Sequence, residues 1–197
     1  MNQEIERKYA IKYLPKDLQI ERVIDIEQGF TYKDMNTIVR VRKIQEKYPS
    51  NKVSYIYTVK TKGDIQYNKN KVSKKYEIES EIEQEQYEKL IKRKISNIID
   101  KTRIVVPIQN ELKAEIDVYY GYLEGFLTLE VEFENEEEAN NFQRPDWFGE
   151  ELGYKELSNK KLSMMTRKEF ESKVTKEFMD NNKEIIHQLE RGKLWEN

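Results

Sequence analysis

Like charges recur two residues apart along this 197-residue chain. Arg40 and Arg42 flank Val41, Lys60 and Lys62 flank Thr61, and Lys101 and Arg103 flank Thr102. Among the acids, Glu77 and Glu79 flank Ile78, Glu115 and Asp117 flank Ile116, and Glu130, Glu132 and Glu134 alternate with Val131 and Phe133. Near the start, Glu4 and Glu6 are followed by Lys8, so this stretch mixes the two signs. Guanidinium forks bind phosphate oxygens bidentately, and lysines act on them as point charges. Carboxylates suit hard cations such as Mg²⁺, Mn²⁺ or Ca²⁺. Rows of both kinds, gathered together, would suit a divalent metal and a polyanion at once.

Composition removes other chemistries. With no cysteine there is no disulfide, no thiolate nucleophile and no thiolate metal site. The single histidine, His187, argues against a zinc cluster. Its place in what reads as a peripheral helix sets aside a Ser-His-Asp arrangement as well. The 35 basic and 37 acidic residues give a net charge of −2, no general reason to expect binding to a nucleic acid polymer. The first residues form no apolar signal region, and uncharged runs such as Val118 to Leu123 are far too short to span a bilayer. A soluble, cytoplasmic protein with no membrane partner is expected.

The elements that must position these charges are mostly strands. Period-two alternation, rich in Val, Ile, Tyr and Thr, predicts eight strands near 3–10, 25–32, 37–44, 53–62, 74–79, 101–107, 111–119 and 126–134. Tight turns are expected at Gly63-Asp64 and Gly121 to Gly125. A helix is expected from Ser80, with Glu83 completing a capping box and Tyr87, Leu90, Ile91 and Ile95 at helical spacing. Another starts at Asn135, with Glu138 three positions on and Ala139 and Phe142 facing inward. The tail repeats Phe170, Val174 and Phe178 every four positions, then Ile185, Ile186 and Leu189. The Asp180-Asn181-Asn182 cluster is expected to divide it into two helices. No linker or repeat is visible, and the class is α+β.

Residues i and i+2 of a strand share a face. The charges named above thus share a face in seven of the eight strands, and in six of those seven the named charges have one sign. A sheet with a solvated outer face shows this pattern. So does a barrel with the charges inside and helices outside, and eight strands suffice to close one around a ligand. Buried charges must be paired or bound to something. Alternation does not choose between the two.

The order of the motifs does. Glu4-Ile5-Glu6-Arg7-Lys8 matches an ExExK signature, followed by Gln28-Gly29, Arg40-Val41-Arg42, Thr58-Val59-Lys60, Tyr76-Glu77-Ile78-Glu79 and Lys101-Thr102-Arg103. Glu115-Ile116-Asp117, Leu129 to Phe133 and Trp147 to Glu151 come next, then Ser158-Asn159 and Leu162. This series resembles the CYTH superfamily, the triphosphate tunnel metalloenzymes, over about residues 2–166. The resemblance implies an eight-stranded antiparallel barrel, or tunnel, with surrounding helices. Residues 1–166 would form that domain and 167–197 a helical extension of it.

The resemblance also implies roles. Glu4, Glu6, Glu115, Asp117, Glu130 and Glu132 would hold Mg²⁺ or Mn²⁺. Lys8, Arg40, Arg42, Lys60, Lys101 and Arg103 would bind phosphate, while Glu77, Glu79 and Lys62 share the lumen. The implied reaction is metal-dependent hydrolysis of the terminal phosphate of tripolyphosphate or of a nucleoside triphosphate. The alternatives are a class IV adenylyl cyclase, a thiamine triphosphatase or a non-catalytic polyphosphate-binding module. The partner would be a small triphosphate, and a homodimer is a family habit. The tyrosine that follows Gln-Gly in the family is Phe30 here. Lys8 is then the candidate base, and Tyr32, two residues on, is the candidate hydroxyl to assist it. Trp147-Phe148 reads as a core or lid anchor, Trp195 as a pin for the C-terminus, and Lys160 and Lys161 as further cations near the tunnel.

Overall fold

The computed structural model describes residues 2–3, 5–62, 75–153 and 157–192, and for 2, 3, 62, 75, 191 and 192 the backbone alone. The strands are β1 (Asn2–Gln3), β2 (Ile5–Ile11), β3 (Arg22–Lys33), β4 (Thr37–Tyr48), β5 (Val53–Lys62), β6 (Lys75–Glu81), β7 (Ile99–Pro107), β8 (Lys113–Tyr119), β9 (Leu127–Phe133) and β10 (Phe148–Glu151). The helices are α1 (Gln84–Ile91), α2 (Glu136–Asn141), α3 (Asn159–Leu162), α4 (Arg167–Glu171) and α5 (Lys176–Gly192). All strand pairs are antiparallel, in the order β1-β6-β5-β4-β3-β7-β8-β9-β2-β10. The class is α+β, as expected.

As a hydrogen-bonded ladder the sheet is open, not the closed eight-stranded barrel the resemblance implies. The reason lies in the N-terminal stretch. Its first piece pairs with β6, through Asn2 opposite Glu77 and Gln3 opposite Tyr76. Its second piece, β2, pairs with β9 from Ile5 opposite Phe133 to Tyr9 opposite Leu129. Among the described residues, 2–3 pair with β6 and 5–9 with β9, so the N-terminal stretch reaches both neighbours without one unbroken ladder.

Register sorts the side chains. Directly opposed residues share a face. From β2 to β9, Lys8 faces Glu130; from β9 to β8, Glu130 faces Glu115; from β8 to β7, Asp117 faces Arg103. Across β3 the same face continues through Ile24, Ile26 and Gln28 to Arg42, Arg40 and Thr58, and on to Glu79, with Lys60 opposite Glu77. One face thus holds the charges. The other, from Ile5, Tyr9, Ile11, Ile104, Ile116, Val118, Leu129 and Val131, forms the main apolar core beneath α2 and α5. Lys8, Asp117 and Glu130 are buried too, so the charged face is not the solvated side of a sandwich. No helix among the described residues is long and apolar enough to cross a membrane.

The helices correct the sequence reading in two places. Ser80 does not begin α1, because it continues the β6 ladder opposite Tyr57. The helix starts after Glu83, whose N–H donates to Gln86 Oε1 at 2.8 Å. It ends at Ile91, which leaves Ile95 exposed beyond it. In the tail, Asp180-Asn181-Asn182 does not interrupt α5. Asn181 Nδ2 donates to the Ile11 carbonyl and Asn182 Nδ2 to that of Leu127, so both amides tie the helix to strand backbone. The break falls earlier, where Thr175 Oγ1 accepts from the Phe178 N–H. Phe170 and Met179 are buried in one cluster with Tyr119, Leu123 and Phe126, so the tail shares the core of the sheet. The Asn135 helix start stands as expected, its side chain accepting from the Glu138 N–H. Trp147 and Phe148 are buried in the main core. Glu4, the turn at 63–64 and Trp195 lie outside the described residues.

Candidate active site

The charged face carries two ion-pair networks. In the first, on β4, β5 and β6, Arg40 Nη2 bonds Glu77 Oε1 at 2.8 Å and Glu79 Oε1 at 3.4 Å. Arg42 pairs with Glu79, Thr58 Oγ1 donates to Glu79 at 2.8 Å, and Lys60 Nζ reaches Glu77 Oε2 at 2.8 Å. In the second, on β2, β7, β8 and β9, Lys8 Nζ sits 2.7 Å from Glu130 Oε1 and donates to the Leu157 carbonyl at 3.1 Å. Arg103 spans three carboxylates. Its Nε donates to Asp117 Oδ1 at 2.7 Å, its Nη2 to Glu130 Oε2 at 2.7 Å, and it also pairs with Glu115. Lys101 pairs with Asp117.

The networks face each other's fields. Burial, then Arg40, pushes the Arg42 guanidinium down to about 10, with Arg103 contributing from across β3. Burial and then Arg103 lower Lys101 to about 8, against the pull of Asp117. Burial also opposes the charge on Lys8, but Glu130 and Glu6 outweigh it and raise its pKa. That direction favours the ammonium form of Lys8 in the ligand-free chain. Burial acts to raise Glu130, and Lys8 and Arg103 overcome it, holding its carboxyl well below the ordinary range. Glu115 goes the other way: burial raises it, with Asp117 and Glu130 adding to the effect against Arg103.

Most of the expected site residues meet on this face. Lys8, Lys101, Arg103, Glu115, Asp117 and Glu130 share one network; Arg40, Arg42, Lys60, Glu77 and Glu79 share the other. Glu6 is opposite Glu132 on the same face of the β2–β9 pair. The backbone of Lys62 continues β5, opposite Lys75. Among the described residues, no group of three or more acidic side chains is gathered so as to hold a metal ion. The reason is visible in the pairing, for Arg103 lies between the three carboxylates. Their donor set, all hard oxygen, fits Mg²⁺ or Mn²⁺ in kind.

Tyr32 does not join them. A bulge in β3 shifts the register between Phe30, opposite Arg40, and Tyr32, opposite Val39. The extra residue turns Tyr32 to the outer face. There it is 50% exposed and donates its hydroxyl to Asp34 Oδ2 at 3.0 Å, which raises its pKa. Tyr32→Phe should leave kcat and KM within about twofold of the wild-type values, as surface changes remote from a site do. A tenfold loss would return Tyr32 to the site. Phe30 does face inward and is buried. What the charge pattern missed was β3 itself, whose inward face is Ile24, Ile26, Gln28 and Phe30. Its lack of charges was the signal, and Gln28 its one polar member.

An inward face of paired cations and carboxylates, ordered along eight antiparallel strands, defines a class of protein. The motif series resembles that of the CYTH superfamily of triphosphate tunnel proteins, and the chain is similar to inorganic triphosphatases. An inorganic triphosphatase of Nitrosomonas europaea is 29% identical to it over 163 residues, covering 82% of this chain and 97% of that protein. The crystal structure of an inorganic triphosphatase is similar with a TM-score of 0.56 at 28% identity, covering 84% of this chain and 97% of that one. A protein of Pyrococcus horikoshii, 18% identical, shares the fold with a TM-score of 0.50 over 70% of this chain and 82% of that one. No protein-family model matches the chain.

Proposed function

We propose that the chain hydrolyses the terminal phosphate of inorganic tripolyphosphate, with Mg²⁺ or Mn²⁺, inside a tunnel that residues 2–11 close. The observation that carries this is the inward face on which Arg103 joins Glu115, Asp117 and Glu130 while Arg40 and Arg42 pair with Glu77 and Glu79. A multiply charged ligand with its own countercharge would make use of both networks. The full-length similarity to an inorganic triphosphatase supports the choice of substrate. The reading sets the enzyme in the cytoplasm, acting on a small triphosphate.

Phosphoryl transfer asks a protein chiefly for positioning and charge stabilisation. Arg40, Arg42 and Lys60 would bind phosphate oxygens on one side, and Lys101 and Arg103 on the other. Lys8, held as an ammonium, adds positive charge near the reacting phosphate. The metal would be held by Glu4, Glu6, Glu115, Asp117, Glu130 and Glu132, and when bound it supplies charge neutralisation and an oriented, acidified water. On binding, phosphate would replace carboxylate as the partner of each cation, and the carboxylates so released would be available to hold the metal. Binding of the two is therefore coupled.

Arg40→Ala removes a charge-assisted donor worth about 1.5–3 kcal/mol. KM for tripolyphosphate should rise about ten- to a hundredfold with a smaller change in kcat. Chelation of divalent ions should abolish phosphate release. An unchanged KM, or turnover that persists in chelator, would count against this assignment. Phe30, which lacks the hydroxyl, favours a second reading, a polyphosphate-binding module. That reading predicts binding without release.

A further inference from the structure

Gln28 is 1% exposed, and its Nε2 has no hydrogen-bond partner among the described residues. Buried polar side-chain groups usually find a hydrogen-bond partner, so an orphan of this kind calls for a cause. Its surroundings supply one. On the ladder Gln28 stands directly opposite Arg42, and Phe30, two residues on, stands opposite Arg40. Arg40 Nε and Arg42 Nε are also buried without an acceptor. Among the described residues, no acceptor reaches these three N–H donors on one patch of the inward face. On the other side Gln28 is opposite the buried Ile99, and along its own strand it lies between Ile26 and Phe30, so no neighbour there offers an acceptor.

The backbone that carries this amide is fixed. Gly29, facing outward, lies under α1 so closely that a Cβ there would sit 2.6 Å from Ile91 Cδ1. The Phe30 N–H donates to Ser96 Oγ at 3.1 Å, and the Phe30 carbonyl accepts from the Ile95 N–H at 2.8 Å. The segment after α1 therefore clamps residues 29–30 from outside, and the side chain of residue 28 is presented inward from a held strand.

We propose that Gln28 is a substrate-contacting residue, whose amide N–H donates to an oxygen of the phosphate group held by Arg40 and Arg42. It is the one hydrogen-bonding side chain that β3 presents inward from Ile24 to Phe30, so it joins the two charged networks across an otherwise apolar strand. The inference rests on the triphosphate reading of this face. An uncharged donor adds a directional contact without adding to the repulsion between neighbouring cations, which already depresses Arg42.

The test compares the wild-type chain with Gln28→Leu and Gln28→Glu, by calorimetric titration with tripolyphosphate in Mg²⁺ and by thermal denaturation without ligand. A lost hydrogen bond to a charged group should weaken binding by about ten- to a hundredfold for Gln28→Leu. Its Tm should stay level or rise, because an orphan polar group has been removed from the interior. Gln28→Glu, of the same shape, should bind still more weakly, since a carboxylate there repels phosphate while pairing with Arg42 in the free protein. Binding of both variants within twofold of wild type would overturn the proposal and leave the triphosphate reading standing. A fall in Tm for both variants alongside the affinity loss would overturn it too, by making Gln28 a structural residue. A wild-type chain that binds no tripolyphosphate would overturn both readings together.

Discussion

Glu130→Gln should lower kcat/KM for tripolyphosphate by about a thousandfold, equivalent to about 4 kcal/mol of transition-state stabilisation. Glu130 is where the second network converges. It accepts from both Lys8 and Arg103, it is buried, and its carboxyl is held ionised far below the ordinary range. The amide keeps the volume and one accepting oxygen, but it removes the charge that a divalent cation would use. Stability should fall far less, by about 1–3 kcal/mol, because Lys8 retains the Leu157 carbonyl and the field of Glu6. Paired measurements of kcat/KM and Tm separate the two effects. Turnover within tenfold of wild type would remove Glu130 from the centre of the site.

Arg103→Met should produce the largest loss of stability, about 3–5 kcal/mol in metal-free buffer. Arg103 is the cation shared by Glu115, Asp117 and Glu130, and methionine leaves three carboxylates facing one another without it. The pH dependence follows in sign. Burial already raises Glu115 against the pull of Arg103, and loss of the guanidinium would raise it further. The variant then keeps most of its stability at low pH, where Glu115 is protonated, and loses it as pH rises through the raised value. Denaturation midpoints at acidic and at mildly alkaline pH, each against wild type, test this. Added Mg²⁺ should recover part of the loss by taking the place of the guanidinium. A destabilisation that is small, or equal at both pH values and insensitive to Mg²⁺, would mean the three carboxylates are not a coupled cluster.

Much of this was legible in alternation alone. β5 spans 53–62 as expected, and β4 begins at Thr37 as expected, because period two survives wherever one face is charged and the other apolar. β3 runs longer at both ends than its own pattern suggests, since Arg22 is added opposite Val105 and Lys33 opposite Ile38. Partners set those ends, and a single strand cannot announce them. Tyr32 was misread for a related reason: parity counting assumes an unbroken register, and the bulge after Phe30 reverses the face. The tail helix was misread because Asn181 and Asn182 look like breakers until the Ile11 and Leu127 carbonyls are brought to them. The roles of individual charges were carried by the motif series. That Arg103 would sit between three carboxylates depends on side-chain geometry that no spacing encodes. Gln28 stood inside a recognised motif without a role, and only its burial without a partner gives it one.

The central claim is that this inward face exists to bind and cleave a triphosphate. Phosphorus NMR of tripolyphosphate incubated with the wild-type chain and Mg²⁺ tests it most directly, because the products identify the bond that breaks. Pyrophosphate and orthophosphate should appear in equal amounts with the divalent ion present, and neither should appear once it is chelated. A tripolyphosphate spectrum that stays unaltered with Mg²⁺ and with Mn²⁺ present would contradict it.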